Sequence, residues 1–362
     1  MAISSLPWRS AFSRFAPVVK VGLPVLASGS NCAVKPTRLR RAAYFRSLGV
    51  AESHRGCRRH TIRNPMTREQ MSKVKVPIEH AVARSTVRLL AGKIGAPAST
   101  TGTGFFYQVT EPTSNLAKML IITNKHVVKG AEQIDFVLSY ADSVSVLNEQ
   151  HQPVGRQDLA VSVILQGNIY NHPDPEIDLC GIDVTIPAGR ILQSGKQLRF
   201  MSIDSSWLPS EIDRRNMRDI EQVLVVGYPK GLWDEFNNMP ISRVGTTATH
   251  PLARYKGKTN FLIDVSAFGG SSGSPVFTYE APLFRQPDGN YSPGTKVQFI
   301  GVIWGVVEAE TSGQLRIVDI PSALAPVPVL STSLNLATAL HGDAILAIDE
   351  LIFPGITKAR GK

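Results

Sequence analysis

The run "FGGSSGSPVF" at residues 268–277 holds Ser271, Ser272 and Ser274 between glycines and directly ahead of Pro275. A serine hydroxyl attacks a carbonyl only when a base takes its proton, a third group orients that base and donors receive the oxyanion. Small residues let backbone N–H groups converge in such a run and let a substrate carbonyl approach the main chain. A phosphate-cradling loop would use the same property, but the Gly-Lys-Ser/Thr ending it needs is missing. Among eight histidines, His126 is the candidate base, because it closes the apolar run "MLIITNKHVV" and therefore stands at the rim of a core. Asp178 is the candidate orienting carboxylate, just ahead of an apolar stretch in "PEIDLCGIDV"; Asp174, Glu176 and Asp183 are its rivals. The acidic run "DPEID" lacks the glycine and distant glutamate of a calcium loop, and no histidine pair has zinc spacing. The chemistry is therefore expected to need no metal and no cofactor.

These side chains need strands to carry them. From about residue 82 the chain runs through short apolar stretches separated by turn residues: "STVRLLAG", "GTGFFYQV", "MLIITNKHVV", "AVSVIL", "LCGIDVTI", "QVLVVGYP", "NFLIDVSAF", "SPVFTY", "VQFIGVIWGVV" and "LRIVDI". Val, Ile and Phe within them and Gly, Pro, Asn and Asp around them predict the strands of a sandwich or barrel. A short helix is expected in "IEHAVA", and a longer one in "GDAILAIDELIF", with Ile345, Ile348, Leu351 and Ile352 on one face. "LFRQPDGNYSPGTK" reads as an exposed hairpin loop and the Pro-rich "PSALAPVPVLSTS" as a surface connection to the last helix.

The 362 residues carry a formal charge of +10, which suggests an anionic partner until its distribution is followed along the chain. Residues 1–63 contain twelve Lys or Arg and one acid, Glu52, for a net of +11; the rest of the chain is −1. The body is thus nearly neutral and no nucleic acid is expected to bind it. Residues 1–65 read as a basic extension without a fixed fold: a transit peptide, a disordered tail, or sequence upstream of a true start at Met66 or Met71. Only Cys180 of the three cysteines lies beyond that extension, which fits a reducing, cytoplasmic setting, with organelle targeting or secretion through the extension as the alternative. No run of 18 apolar residues is present to span a membrane. Cys180 itself reads as a small buried apolar residue.

"GTGFFY", "ITNKHVV", "IDLCGIDV", "VVGYPKG", "GGSSGSP" and "IGVIWG" occur in the order found in trypsin-like serine proteases, over roughly residues 82–352. The chain most resembles the bacterial branch that includes the HtrA-type protease domain. That resemblance implies an all-β, chymotrypsin-like fold of two six-stranded antiparallel barrels with a C-terminal helix, spanning residues 75–352 and followed by a tail at 353–362. It implies His126 as general base, Asp178 as the aspartate that orients it and Ser272 as nucleophile, with Ser271 and Ser274 structural. The N–H groups of Gly270 and Ser272 would form the oxyanion hole. Ser266, Phe268, Ile303, Trp304 and Gly305 would line the substrate pocket, and with no acid at Ser266 a small or medium apolar side chain is expected there rather than Lys or Arg. The His, Asp, Ser order in the chain is that of the chymotrypsin group rather than of subtilisins or α/β-hydrolases. Ser271 stands where digestive relatives place an aspartate that pairs with a newly cut N-terminus, so activation by cleavage is not expected. With about ten residues after the last helix, the PDZ domain that usually continues HtrA-type chains is not expected. The expected function is a serine endopeptidase acting on protein or peptide substrates, of unknown oligomeric state; the alternative is a catalytically silent binding module on the same fold.

Overall fold

A computed structural model describes residues 77–111, 114, 116–143, 147–148, 152–267, 269–309, 315–319 and 332–356. The N-terminal extension, Phe268 and most of the Pro-rich connection lie outside them. The apolar runs fold into two antiparallel sheets. The first holds β1 (Thr86–Gly92), β2 (Thr100–Thr110), β3 (Ala117–Thr123), β4 (Gln133–Ala141), β5 (Gln157–Ile164), β6 (Ile169–Asn171), β7 (Cys180–Asp183) and β8 (Gln197–Leu198). Its order is β5-β4-β1-β2-β3-β7-β6, with β8 on β4. The second holds β9 (Gln222–Gly227), β10 (Ile241–Thr247), β11 (Asn260–Asp264), β12 (Pro275–Glu280), β15 (Lys296–Ala309), β16 (Leu315–Asp319) and β17 (Thr332–His341). Its order is β12-β9-β10-β11-β17-β15-β16. Between its strands, β13 (Leu283–Arg285) and β14 (Tyr291–Pro293) form the hairpin expected of residues 283–296.

The fold is all-β and chymotrypsin-like, as the sequence predicts, and its halves differ in closure. In the second sheet β12 pairs with both β9 and β15, so six strands form a closed barrel. In the first, β5 and β6 end the path and neither pairs with a further strand among the described residues, leaving a half-barrel. A helix accompanies that open sheet: the stretch read as the single strand "LCGIDVTI" stops at Asp183, and Thr185–Gln193 form helix α2. Pro187 falls in its first turn, where no N–H is needed, and Ala188 and Ile191 pack into the core of the open sheet.

Alternation along the strands distributes side chains among three cores. Leu89, Phe106, Ile121 and Val127 fill the half-barrel. Val223, Val225, Phe261 and Val276 fill the closed barrel. Between the halves lie Phe105 and Tyr107 of β2, Leu120 and Ile122 of β3, Leu224 and Val226 of β9, and Phe277 and Phe299 of β12 and β15. Strands at this junction are buried on both faces, which is why they read as unbroken apolar runs. Helix α4 (Ile345–Ile352), introduced after α1 (Ile78–Val82) and α3 (Glu211–Asn216), closes the junction core with Ile345 and Ile348. The expected face of α4 is rotated, however: Leu351 is 44% exposed and Asp349 fully buried, receiving the Tyr107 hydroxyl at 3.1 Å. A hydrogen bond to a buried tyrosine thus replaces the apolar contact that periodicity assigned to Leu351.

Candidate active site

β3 ends at Thr123, and Asn124 leads into a tight turn over Lys125–Val128 that carries His126. Val127 and Val128 are buried in the half-barrel core and anchor the turn, and Val127 O accepts from Thr100 Oγ1 at 2.7 Å. Asp178 lies two residues before β7, and its backbone carbonyl accepts from the buried Asn124 Nδ2 at 2.6 Å. Its carboxylate meets His126 twice: Oδ1 accepts from the backbone N–H at 3.0 Å, and Oδ2 lies in close contact with Nδ1. The two side chains are 14% and 22% exposed, so the pair is largely shielded from water. The rival acids are committed elsewhere. Asp174 and Glu176 are exposed, and Asp183 pairs with Lys118 Nζ at 2.9 Å.

Ser272 comes from the other half of the molecule, between β11 and β12. Its Oγ is 3.0 Å from His126 Nε2, the nitrogen opposite the one facing Asp178. Thr103 of β2 holds the serine loop across the junction: its N–H donates to Ser272 O at 2.9 Å and its hydroxyl to Gly270 O at 2.8 Å. Two glycines make the fit possible. Gly270 has φ +83°, and a Cβ there would meet Tyr228 O at 2.5 Å; Gly273 has φ +84°, and a Cβ would meet Thr103 O at 1.9 Å. β15 braces the same loop, Gly273 N–H donating to Ile303 O at 2.8 Å and Ile303 N–H to Ser274 O at 2.9 Å. The N–H groups of Gly270 and Ser272 find no acceptor among the described residues.

Ser271 accepts from Arg243 Nη2 at 2.9 Å, while Arg243 Nε and Nη1 are buried without a partner. Burial holds this guanidinium below its ordinary pKa. Ser274 is buried and its N–H donates to Ser271 O at 3.0 Å. Of the residues expected to line a pocket, Ile303 is buried and touches the serine loop through its backbone, Trp304 packs on the junction core, Gly305 is buried in β15 and Ser266 is exposed. Phe268 lies outside the described residues. Cys180 is fully buried, and burial, reinforced by Asp178, pushes its thiol up. No cluster of metal-ligating side chains occurs among the described residues, and none of their helices is long and apolar enough to cross a membrane.

Sequence reasoning missed Thr103, Asn124 and Arg243. The signal for the first two was present: a polar residue inside or directly at the end of a run buried on both faces, as in "GTGFF" and "IITNKH", must spend its hydrogen bonds on something specific. Arg243 carried no such signal, because "ISRVGTT" has too few apolar residues to read as a strand at all.

Chemically, the arrangement offers an alcohol beside one imidazole nitrogen, a carboxylate beside the other, and two unspent N–H donors next to the alcohol. A family model described as a trypsin-like peptidase domain matches residues 102–282, half of the chain. Residues 1–47 match a second model, described as a protein of unknown function (DUF1010). No curated protein matches the chain. Among solved structures it is similar to the active form of the Rv3671c protease from M. tuberculosis, at 16% identity, with 70% of this chain and 86% of that one covered and a TM-score of 0.35. Similar too are a serine endoprotease from Yersinia pestis (15% identity, 69% and 76% covered, TM-score 0.31) and the scabies mite inactivated protease paralogue S-I1 (15% identity, 76% and 98% covered, TM-score 0.36).

Proposed function

The chain belongs to the trypsin-like peptidase domain family, and from that premise we propose that it is a serine endopeptidase acting through Ser272, His126 and Asp178. The observation that carries this reading is the two-sided engagement of one imidazole, with Nε2 3.0 Å from Ser272 Oγ and Nδ1 against Asp178. Ser272 Oγ attacks the scissile carbonyl while His126 Nε2 takes its proton. Asp178 accepts from Nδ1–H, fixes the tautomer and stabilises the imidazolium. The oxyanion that forms on the carbonyl oxygen faces the N–H groups of Gly270 and Ser272. Collapse breaks the C–N bond, His126 protonates the departing amine, and water, deprotonated by the same nitrogen, releases the acyl group from Ser272. Peptide or unfolded protein is the substrate class.

The full burial of Ser272 favours a second reading, a silent binding module whose serine substrate does not reach. One experiment separates them. The endopeptidase reading expects a fluorophosphonate probe to label the native chain at Ser272, and expects Ser272→Ala to abolish both labelling and cleavage of an unfolded protein with the fold intact. An unlabelled native chain, or undiminished proteolysis by the variant, overturns it.

A further inference from the structure

We propose that a cleft between Arg84 and Arg199, apart from the serine site, binds a carboxylate carried on an apolar group. Arg84 follows α1 and Arg199 follows β8; Met201 N–H donates to Arg84 O at 3.2 Å and Arg199 N–H to Ser139 O at 2.9 Å, so backbone bonds fix both positions. The cleft they line is open to solvent, and its apolar wall is formed by Val87, Phe106, Phe200, Met239 and Pro240. Phe106 and Phe200 stack with centroids 3.6 Å apart.

Three buried polar atoms of this cleft lack partners. Arg199 is 6% exposed, and although its Nη1 donates to Asn237 O at 2.5 Å, its Nε is buried with no acceptor. Arg84 Nε and Thr86 Oγ1 are buried and equally unpartnered. Neither arginine forms an ion pair among the described residues. Asp158, the acid whose charge favours Arg199, is already held by Arg156 Nη2 at 2.5 Å and by Ser139 Oγ at 2.6 Å. Burial lowers both guanidinium pKa values; that of Arg199 falls to about 10, with repulsion from Arg84 and Arg156 adding to the effect of burial. A buried Arg199 beside a half-buried Arg84, neither in an ion pair among the described residues, costs free energy that an anion would offset.

The shape of the site selects the anion. Guanidinium groups match the paired oxygens of a carboxylate. Beside Ser139, Tyr228 and Asn238 the remaining wall is the apolar surface of Val87, Phe106, Phe200, Met239 and Pro240; a compact, strongly hydrated phosphate would leave that surface uncovered, whereas a hydrocarbon or aromatic group attached to the carboxylate would lie against it. Such a ligand is either a small organic acid or the free C-terminus of a peptide ending in an apolar residue.

Calorimetric titration of the full chain carrying Ser272→Ala, so that no probe is hydrolysed, tests the site independently of the endopeptidase reading. The probes are 3-phenylpropionate, N-acetyl-Ala-Ala-Ala-Phe with a free carboxylate, the same peptide as its C-terminal amide, and inorganic phosphate. Saturable binding of the two carboxylates is expected, with no saturable binding of the amide or of phosphate. Tighter binding of the peptide than of 3-phenylpropionate identifies a chain terminus as the source; equal binding identifies the small acid. Arg84→Gln should weaken both carboxylates by about tenfold or more, and Arg84→Lys, which retains the charge, by less. Each carboxylate should also raise the melting temperature of the unsubstituted arginine form, a readout that needs no variant to fold. The proposal is overturned if neither carboxylate binds, if the amide binds as well as the acid, or if Arg84→Gln binds as tightly as the parent.

Discussion

The half-barrel and the closed barrel bury comparable cores by different means, and they supply different parts of the candidate site. The half-barrel leaves β5 at its rim with six of eight residues exposed, uses α2 to help enclose its interior, and delivers His126 and Asp178 from chain segments just outside β3 and β7. The closed barrel pairs β12 on both sides and delivers Ser272 from a loop that glycines fit against the neighbouring half. An open sheet tolerates adjustment at its edge, while a loop packed to contact distance tolerates none. The contrast predicts that substitutions on the half-barrel side of the site act on chemistry and those on the serine loop act on structure as well.

The largest effect expected is on the half-barrel side. Asp178→Asn should lower kcat by about 10⁴-fold, because the wrong tautomer of His126 spoils the base, while thermal unfolding changes little. A normal rate would return attention to Asp174 or Asp183. On the serine loop, Gly273→Ala should instead destabilise the fold by about 3 kcal/mol or more, since a left-handed backbone and a 1.9 Å approach to Thr103 O cannot both accommodate a Cβ. Denaturant unfolding that leaves the midpoint unmoved would show that the loop yields, and would erase the contrast. A smaller difference should separate the strands themselves: amide hydrogens of β5 should exchange well before those of β9 and β12, measured by native-state hydrogen exchange. Equal protection would mean that closure of the sheet does not set local stability.

The smallest effect concerns acid. Burial pushes the Asp213 carboxyl up, but hydrogen bonds from Lys296 and Ser210 and the charge of Lys296 outweigh it and hold the carboxyl below the ordinary range. Its stabilising contribution is therefore complete above the ordinary carboxylate pKa of about 4 and is lost as pH falls through the lowered value. Asp213→Asn should make stability less dependent on pH below about 4, followed by thermal melts across that range. An unaltered acid limb would remove Asp213 from the account of the closed barrel.

What the sequence revealed follows from the same layering. β2, β3, β9, β12 and β15 face a core on each side, so their runs were legible without any structure. β10 alternates between exposed and half-buried residues and ends at one buried threonine, and β17 carries Thr, Ser and Asn among its apolar positions, so neither announced itself. His126, Asp178 and Ser272 could be singled out because each stands just outside an apolar strand. Thr103 and Asn124 could have been found by asking what a polar group does within or just beyond such a strand. Arg243 and the Arg84–Arg199 cleft could not, since nothing in a sequence tells a buried arginine from a solvated one.

The two bonds from Thr103 to the serine loop have a consequence for how this molecule comes into being. A loop held by a residue from the opposite half takes its final shape only after both halves have docked. Expressed apart, the C-terminal half would leave Ser272 with neither its imidazole nor the threonine that sets its backbone. On the proposed mechanism, reactivity at Ser272 is then a property of the finished assembly, and a chain still being synthesised carries a harmless alcohol.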